Sequence, residues 1–149
     1  MEKELRVLKI KNGTVIDHIE GGQALNVLKI IGVPKTTVTI AMNVPSKKTG
    51  VKDIVKVEGR ELKEEEVNKI SLISPRATIN IIRNYEVVEK RKVEIPKIVE
   101  GVLKCANPNC ITNFENVATK FITESKSPIK LRCYYCERIM EQEDIVRQF

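Results

Sequence analysis

The four cysteines of the sequence are the residues whose type and spacing suggest chemistry most directly. Cys105 and Cys110 are separated by four residues and Cys133 and Cys136 by two, and 22 residues lie between the pairs. Zn²⁺ binds four thiolates in a tetrahedron, and two closely spaced pairs on short turns can supply them. Four protein ligands leave no position for water, so the spacing predicts a structural zinc site rather than a catalytic one.

Other interpretations of the cysteines remain open at this stage. Two disulfides, an iron–sulfur site or unrelated buried thiols would also use four cysteines, and the first pair is wider than the usual zinc knuckle. The sequence shows no apolar leader segment, so we expect a reducing, cytoplasmic setting in which disulfides are rare.

The titratable residues give no sign of a catalytic centre. His18, the one histidine, follows Asp17 directly, and adjacent residues of a strand point to opposite faces, so the two are not expected to form a catalytic dyad. A structural role for His18 is the simplest interpretation. There is no arrangement of nucleophile, base and orienting group, and no glycine-rich phosphate loop, so we expect a chain that is not an enzyme.

One predicted strand carries two lysines, which suggests a ligand-binding site rather than a catalytic centre. Lys52 and Lys56 would share one face of a strand, about 13 Å apart at their Cα atoms, and both side chains can reach one polyphosphate. The alternative is a solvated lysine face. Lys90 lies near the end of a later strand, but periodicity alone does not place it beside the other two.

The charge distribution limits the partners. The 149 residues carry a net charge of +6, and residues 1–96 hold 18 basic against 13 acidic residues, whereas residues 97–149 hold 8 against 7. The basic surplus therefore lies away from the cysteines, and aromatic residues are only 4% with no Trp. Both facts disfavour a nucleic-acid partner. No apolar run has the length of a membrane span, so no membrane partner is expected.

Hydrophobic periodicity predicts the elements that must position these residues. It favours an α+β fold: a ferredoxin-like antiparallel sheet with two helices, followed by a small all-β zinc-binding domain. We expect the domains at 1–96 and 97–149, with a semi-rigid linker at Ile95–Lys97. The predicted elements are a hairpin of Leu5–Lys11 and Thr14–Ile19 around Asn12-Gly13, helix Gln23–Ile31, strand Thr36–Met42, loop Asn43–Gly50, strand Lys52–Glu58, helix Leu62–Ile73, strand Ala77–Ile82, a bulge or turn at Arg83-Asn84, strand Tyr85–Val93, and short strands Lys120–Thr123, Ile129–Cys133 and Arg138–Met140.

Five stretches together resemble a known family. They are GTVIDHI at 13–19, KDIVKVE at 52–58, NYEVVEK at 84–90, CANPNCIT at 105–112 and CYYCE at 133–137. In order and spacing, over nearly the whole chain, they are similar to the regulatory chain of aspartate carbamoyltransferase. In that family the four-residue spacing of the first cysteine pair is normal, so the resemblance implies one structural Zn²⁺ per chain.

The resemblance implies a non-catalytic subunit in pyrimidine biosynthesis. Its first domain would bind nucleoside triphosphates as allosteric effectors: CTP, often with UTP, as inhibitors and ATP as activator. Its zinc domain would dock on the catalytic chain. Homodimers of the regulatory chain would link catalytic trimers into a dodecameric holoenzyme of two catalytic trimers and three regulatory dimers.

The resemblance also implies the nucleotide-binding residues, with the lysines near ribose and phosphates. They are Val7, Lys9, Ile10, Val15, Asp17, His18, Lys52, Lys56, Asn80, Ile82, Tyr85, Val87 and Lys90. Lys9 stands where a small residue is common and Glu89 where glycine is common, so effector preference is left open. Two competing hypotheses are a zinc-ribbon protein that binds nucleic acid, motivated by the basic charge, and a metal-dependent enzyme, which four thiolate ligands disfavour.

Overall fold

The computed structural model describes residues 9–32, 35–47 and 50–149. These residues form two antiparallel sheets and three α-helices. In chain order the elements are β1 (Gly13–Glu20), α1 (Ala24–Ile31), β2 (Val38–Ser46), β3 (Gly50–Glu58), α2 (Glu64–Ile73), β4 (Thr78–Arg83), β5 (Glu86–Lys92), β6 (Ile98–Glu100), a 3-10 turn (Ile111–Asn113), β7 (Lys120–Lys126), β8 (Ile129–Cys133), β9 (Ile139–Glu141) and α3 (Gln142–Val146).

The first sheet has the strand order β2-β3-β1-β4-β5. Its first four strands, with α1 after β1 and α2 after β3, have the ferredoxin-like arrangement that the sequence predicted. β5 extends this sheet at one edge through a two-residue turn at Asn84-Tyr85, where both residues have positive φ. We call β1–β5 with α1 and α2 the sheet module.

Both helices cover the same face of this sheet. Alternate strand residues such as Ile16, Val55 and Ile79 are almost fully buried and form one cluster with Val27 of α1 and Ile70 of α2. Each such side chain contributes on the order of 2 kcal/mol by leaving water. No described element lies on the opposite face, which we call the open face. Its β4 residues Thr78, Asn80 and Ile82 are nevertheless buried.

The second sheet, in the order β6-β7-β8-β9, carries the cysteines on its loops. We call β6–β9, α3 and the connecting loops the metal module. Its core contains Phe121, Leu131, Met140 and Ile145, together with Leu72 from α2 of the sheet module. The α+β fold class is confirmed, with one addition: the all-β part ends in a five-residue helix, α3, which is too short for a periodic signal.

The predicted loop after Met42 was wrong. The residues assigned to a polar loop after Met42 continue strand β2 as far as Ser46, because a bulge between Ala41 and Val44 lets the strand bend and continue. The residues of the predicted semi-rigid linker, Ile95–Lys97, lie between β5 and β6 and are packed. Ile95 is buried in the metal-module core, and the Thr123 hydroxyl donates to the Pro96 carbonyl at 2.6 Å.

The predicted first hairpin lies partly outside the described residues. Within them, Lys9 and Ile10 are not in a strand, and β1 pairs with β3 and β4 instead. The Lys11 carbonyl accepts a hydrogen bond from the Tyr85 N–H, which ties this segment to the β4–β5 turn. No helix among the described residues is both long and apolar enough to cross a membrane.

Candidate functional site

The four cysteine sulfurs converge on one point of the metal module. All four Sγ atoms lie within 4.8 Å of one another, with Cys105 and Cys136 at 3.6 Å and Cys110 and Cys133 at 3.7 Å. Four sulfurs around an ion at about 2.3 Å would be separated by about 3.8 Å along each tetrahedron edge. A disulfide would need about 2 Å, and the four thiols are free. The donor set therefore fits a tetrahedral metal ion.

Hydrogen bonds between residues close in the sequence hold the first cysteine pair in place. The Asn113 side-chain amide donates to the carbonyls of Cys105 and Asn107, at 3.3 and 2.8 Å. The Thr112 hydroxyl lies 3.2 Å from the Cys110 sulfur. These contacts explain why Cys110 leads directly into the 3-10 turn, and they compensate for the wider spacing of this pair.

The thiols differ in how readily they ionise. Burial raises the pKa of the Cys105 thiol to about 12 and also raises the pKa of Cys133. Burial acts in the same direction at Cys136, but the Arg138 N–H and the Asn107 side chain outweigh it and lower its pKa to about 7. A metal ion would therefore meet one thiol that ionises near neutral pH, and it would displace protons from Cys105 and Cys133.

Strand register assembles most of the other predicted residues into one row on the open face. Val15 of β1 lies opposite Lys56 of β3 on one side and opposite Asn80 of β4 on the other. Asn80 in turn lies opposite Lys90 of β5. Directly paired residues of antiparallel strands share a face, so Lys56 and Lys90 flank a centre made of half-buried Val15 and buried Asn80. The structure therefore places Lys90, which periodicity could not.

A bulge in β1 positions the second group of polar residues. The β1–β3 register shifts between Ile16 and Ile19, and His18 adopts a positive φ of 58°. The expected alternation of Asp17 and His18 is interrupted here. The His18 Nδ1 atom lies 3.0 Å from the Thr78 hydroxyl, and the Asp17 carboxylate accepts the His18 backbone N–H rather than its imidazole. The two residues do not form a catalytic dyad.

Lys52 reaches this bulge from the neighbouring strand. Its Nζ atom lies 3.0 Å from the Asp17 carboxylate, in a pair whose side chains keep only 19% and 24% of their exposure. Burial alone would raise the pKa of Asp17, but the hydrogen bonds from Lys52 and from the His18 N–H outweigh it and lower that pKa. One end of the open face thus holds a lysine that is already positioned by a carboxylate.

The apolar residues lie at the other end of the face. Ile82 and Val87 are directly paired across β4 and β5, next to Gly13 of β1. Tyr85 differs from the prediction, because it is in the turn with φ of 67° and is exposed, rather than continuing the strand beside Val87. Ile10 is buried, Lys9 is exposed, and Val7 is outside the described residues.

The structure shows where Glu89 lies, the residue that had suggested altered charge at the predicted nucleotide site. The β4–β5 register shifts after Ile81, which lies opposite Glu89. Ile81 belongs to the helix-covered face, and the Glu89 carboxylate lies 3.7 Å from Arg91, which also pairs with Glu64 of α2. Glu89 therefore carries its charge on the helix side and not on the open face.

Sequence reasoning missed Asp53, whose side chain lies on the helix-covered face of β3, next to Lys52. The side chain is fully buried, and its carboxylate accepts backbone N–H groups of Gly22, Ala24 and Asn43 at 2.8 to 2.9 Å. The signal was present in the sequence. Period two places Asp53 on the same side as Val55 and Val57, and a carboxylate on a buried face requires hydrogen-bond donors. Thr39 lies directly opposite Lys56, so it also belongs to the row on the open face, and the sequence analysis did not predict it.

Comparison with known proteins supplies independent information. A family model described as aspartate carbamoyltransferase regulatory chain, allosteric domain, matches residues 5–94. A second, described as the metal-binding domain of the same chain, matches residues 97–146. Curated proteins named aspartate carbamoyltransferase regulatory chain are similar over nearly their whole length. One from Pyrococcus horikoshii is 63% identical, covering 96% of this chain and 97% of the relative. One from Methanocaldococcus jannaschii is 64% identical, covering 94% and 95%.

Proposed function

The chain belongs to the family of aspartate carbamoyltransferase regulatory chains, and from this premise we propose how its two modules divide the regulatory work. Members of this family are non-catalytic and act with a catalytic chain. We assign nucleoside triphosphate binding to residues 1–96, on the open face. We assign Zn²⁺ binding and docking on the catalytic chain to residues 97–149.

The observation that carries this proposal is the alignment of three lysines on one face of the sheet. Lys56 and Lys90 flank Val15 and Asn80 in one row, and Lys52 approaches from the bulge of β1. A nucleoside triphosphate carries about four negative charges near neutral pH, and lysines suit phosphates because their ammonium groups are mobile point charges. The alternative, a face of merely solvated lysines, does not account for the held position of Lys52.

The face is also polarised in the way that a nucleotide requires. Lys52, Asp17 and His18 lie at one end, and Ile82 and Val87 lie at the other. We therefore orient the triphosphate towards the bulge and the base towards the β4–β5 turn. Backbone groups and apolar side chains near Ile10 and Tyr85 would contact the base, with Asn80 beside the ribose.

The effectors follow from family membership rather than from geometry. CTP and UTP are assigned as inhibitors and ATP as activator. Such ligands shift activity only by binding two quaternary states unequally, typically by about 1–3 kcal/mol. The exposed charge of Lys9 is the one departure that remains near the site, and it would act on the balance between these nucleotides.

The metal module offers an apolar surface for the catalytic chain. Phe114 is 72% exposed in the loop between the cysteine pairs, and other large apolar side chains around both pairs are exposed as well. They are Ile111, Val117, Tyr134, Tyr135 and Ile139. Aromatic and aliphatic residues of this kind are typical anchors of a protein interface. Zn²⁺ would hold both knuckles in the arrangement that presents them.

A free sheet edge supports the homodimer that would link catalytic trimers into a dodecamer. Strand β2 pairs only with β3 among the described residues, and none of its nine residues is charged, whereas the opposite edge strand β5 carries five charged residues. Uncharged edges favour pairing with another strand. Met42 is exposed on β2, so we expect Met42→Lys to yield monomers in light scattering without unfolding the sheet. An unchanged dimer would assign the interface elsewhere.

Lys56→Ala tests the nucleotide site directly. Loss of one charge-assisted contact should weaken CTP and ATP binding about 10- to 100-fold in calorimetry and leave the fold intact. Lys104→Ala is the matched control, because it removes the same charge from an exposed position in the metal module. Equal affinities of all three proteins for both nucleotides would contradict the proposal. Binding to RNA that is steeply salt-dependent would favour the nucleic-acid alternative.

A further inference from the structure

The end of strand β1 connects the open face to the metal module through one glutamine. Gln142, the first residue of α3, donates from Nε2 to the Glu20 carboxylate at 2.8 Å and to the Ile73 carbonyl at 3.3 Å. Glu20 is the last residue of β1 and Ile73 the last residue of α2. One side-chain amide of the metal module therefore binds the ends of two elements of the sheet module.

The β1 end is the part of the sheet module that a bound triphosphate would disturb most. Glu20 lies two residues beyond His18 and directly opposite Lys52. In the structure Lys52 pairs with Asp17, and phosphates arriving at Lys52 would compete with that carboxylate. They would also bring negative charge to the face that Glu20 shares with Lys52, which alters the electrostatic environment of the Glu20 carboxylate.

The surroundings of the bridge leave room for movement. A cavity of about 700 Å³ lies between the modules, and its walls include His18, Glu20, Val51 and Ser74 on one side and Ile129 and Gln142 on the other. The Glu20 N–H donates a hydrogen bond to the Ser74 hydroxyl at 2.9 Å, which fixes the backbone at the end of β1. We therefore expect a bound phosphate to move the Glu20 side chain rather than the end of the strand. A packed interface without free volume would resist such a shift.

We propose that Gln142 is a positioning residue that couples nucleotide binding on the open face to the orientation of the metal module, by holding Glu20 and the end of α2 together. This inference rests on the proposed function, since it concerns the regulation exerted from that site. Gln142 touches neither the nucleotide nor the reacting atoms. It acts through Glu20, so its loss leaves nucleotide affinity and the unregulated reaction rate in place while weakening the response.

The experiment uses the holoenzyme assembled with the catalytic chain of the same organism. Nucleotide affinity is measured by calorimetry with CTP and with ATP, and carbamoyl transfer is measured with and without saturating nucleotide. For Gln142→Ala we expect affinities within twofold of wild type, an unchanged rate without nucleotide, and a change in rate on adding nucleotide that is less than half of the wild-type change.

Gln148→Ala is the matched control. The Gln148 amide also makes hydrogen bonds in the same C-terminal segment, but they stay inside the metal module: two with the Lys104 backbone, at 2.8 and 2.7 Å, and one to the Met140 sulfur at 3.9 Å. Its response should equal that of wild type. Glu20→Ala removes the bridge from the other side and should match Gln142→Ala, with no further loss in the double variant. Glu20→Gln keeps an acceptor oxygen for the Gln142 amide but loses the charge on which the phosphates would act, so it should restore part of the response.

The outcomes separate this inference from the function on which it rests. If wild type binds and responds to nucleotides and Gln142→Ala responds equally, the coupling role is overturned and the nucleotide site stands. If wild type binds no nucleotide, the proposed function itself fails. If Gln142→Ala does not assemble, Glu20→Ala and Glu20→Gln decide the matter, because they alter the same bond without changing the metal module.

Discussion

The two modules obtain their stability from different sources. The sheet module buries isoleucines and valines between five strands and two helices, and its core needs no ligand. The metal module has four short strands and a five-residue helix, and three of the four metal-binding cysteines lie inside its small core. Buried thiols without a metal are weak packing groups. If the proposed function holds, the sheet module would exchange its nucleotide without unfolding, whereas the metal module would fold around its metal ion.

This division suits regulation. In the proposed function, a site that responds to the concentration of a nucleotide has to exist before the nucleotide binds, and strand register would provide it in advance at Val15, Lys56 and Lys90. The proposed docking surface has to remain constant, and a tightly held metal ion would provide that. Leu72, Gln142 and the hydrogen bond from Lys29 to the Phe149 carbonyl join the two modules, so any effect of one module on the other has to pass through contacts of this kind.

Removing the metal should give the largest difference between the modules. Structural Zn²⁺ contributes on the order of 10 kcal/mol to folding near neutral pH, so a chelator, or Cys110→Ser, should unfold the metal module. The sheet module should remain folded and continue to bind nucleotides. Far-ultraviolet circular dichroism, calorimetry with CTP and size-exclusion chromatography with the catalytic chain measure the three properties. We expect assembly with the catalytic chain to be lost.

A metal-free chain that assembled normally would contradict this separation. So would loss of nucleotide binding in parallel with loss of metal, because it would make the two modules a single cooperative unit. Re-addition of Zn²⁺ to the chelated wild type, but not to Cys110→Ser, should restore assembly, and it distinguishes metal loss from general damage.

The features that the sequence predicted are those with local signals. The alternation in β3 and the helical spacing of α1 and α2 each lie within a short stretch and were confirmed as elements. The cysteine pairs are equally local, and their sulfur atoms cluster in the structure. The path of β2 past Met42 was not predictable, because its bulge depends on Asp53, ten residues later, binding the Asn43 N–H. The position of Lys90 beside Lys56 depends on register across four strands, which no local pattern encodes. Tyr85 was misassigned because two non-glycine residues adopt the turn conformation.

Asp53→Asn should give the next largest effect, in the sheet module alone. The carboxylate accepts three backbone N–H groups while fully buried, and an asparagine has only one acceptor oxygen, so at least one buried donor loses its partner. We expect a loss of about 3 kcal/mol in the free energy of unfolding, measured with urea. Asp144→Asn is the control in the metal module. Its carboxylate accepts the Glu141 N–H at the start of α3 and is partly exposed, so about 1 kcal/mol is expected.

Equal costs for the two substitutions would mean that Asp53 is not the organising group described above. A further consequence concerns the site. Since Asp53 holds Gly22, Ala24 and Asn43 around the Lys52 end of β3, its loss should also weaken triphosphate binding, although the side chain faces away from the nucleotide.

Lowering the pH should unfold the two modules in a defined order, with a smaller effect on stability than the two changes above. In the metal module, protons compete with the metal for thiolates, so metal affinity falls as pH decreases and this module should unfold first. In the sheet module, the folded-state pKa of Asp17 is below its ordinary 3.8. Its contribution to stability is therefore fully present above pH 3.8 and is lost only as pH falls through the lowered value.

Asp17→Asn should cost about 1 kcal/mol at neutral pH and flatten the acid dependence of sheet-module unfolding. Methyl NMR of the core isoleucines and valines, followed against pH in both proteins, measures this. An acid profile unchanged by the substitution would show that the Lys52–Asp17 pair does not stabilise the fold.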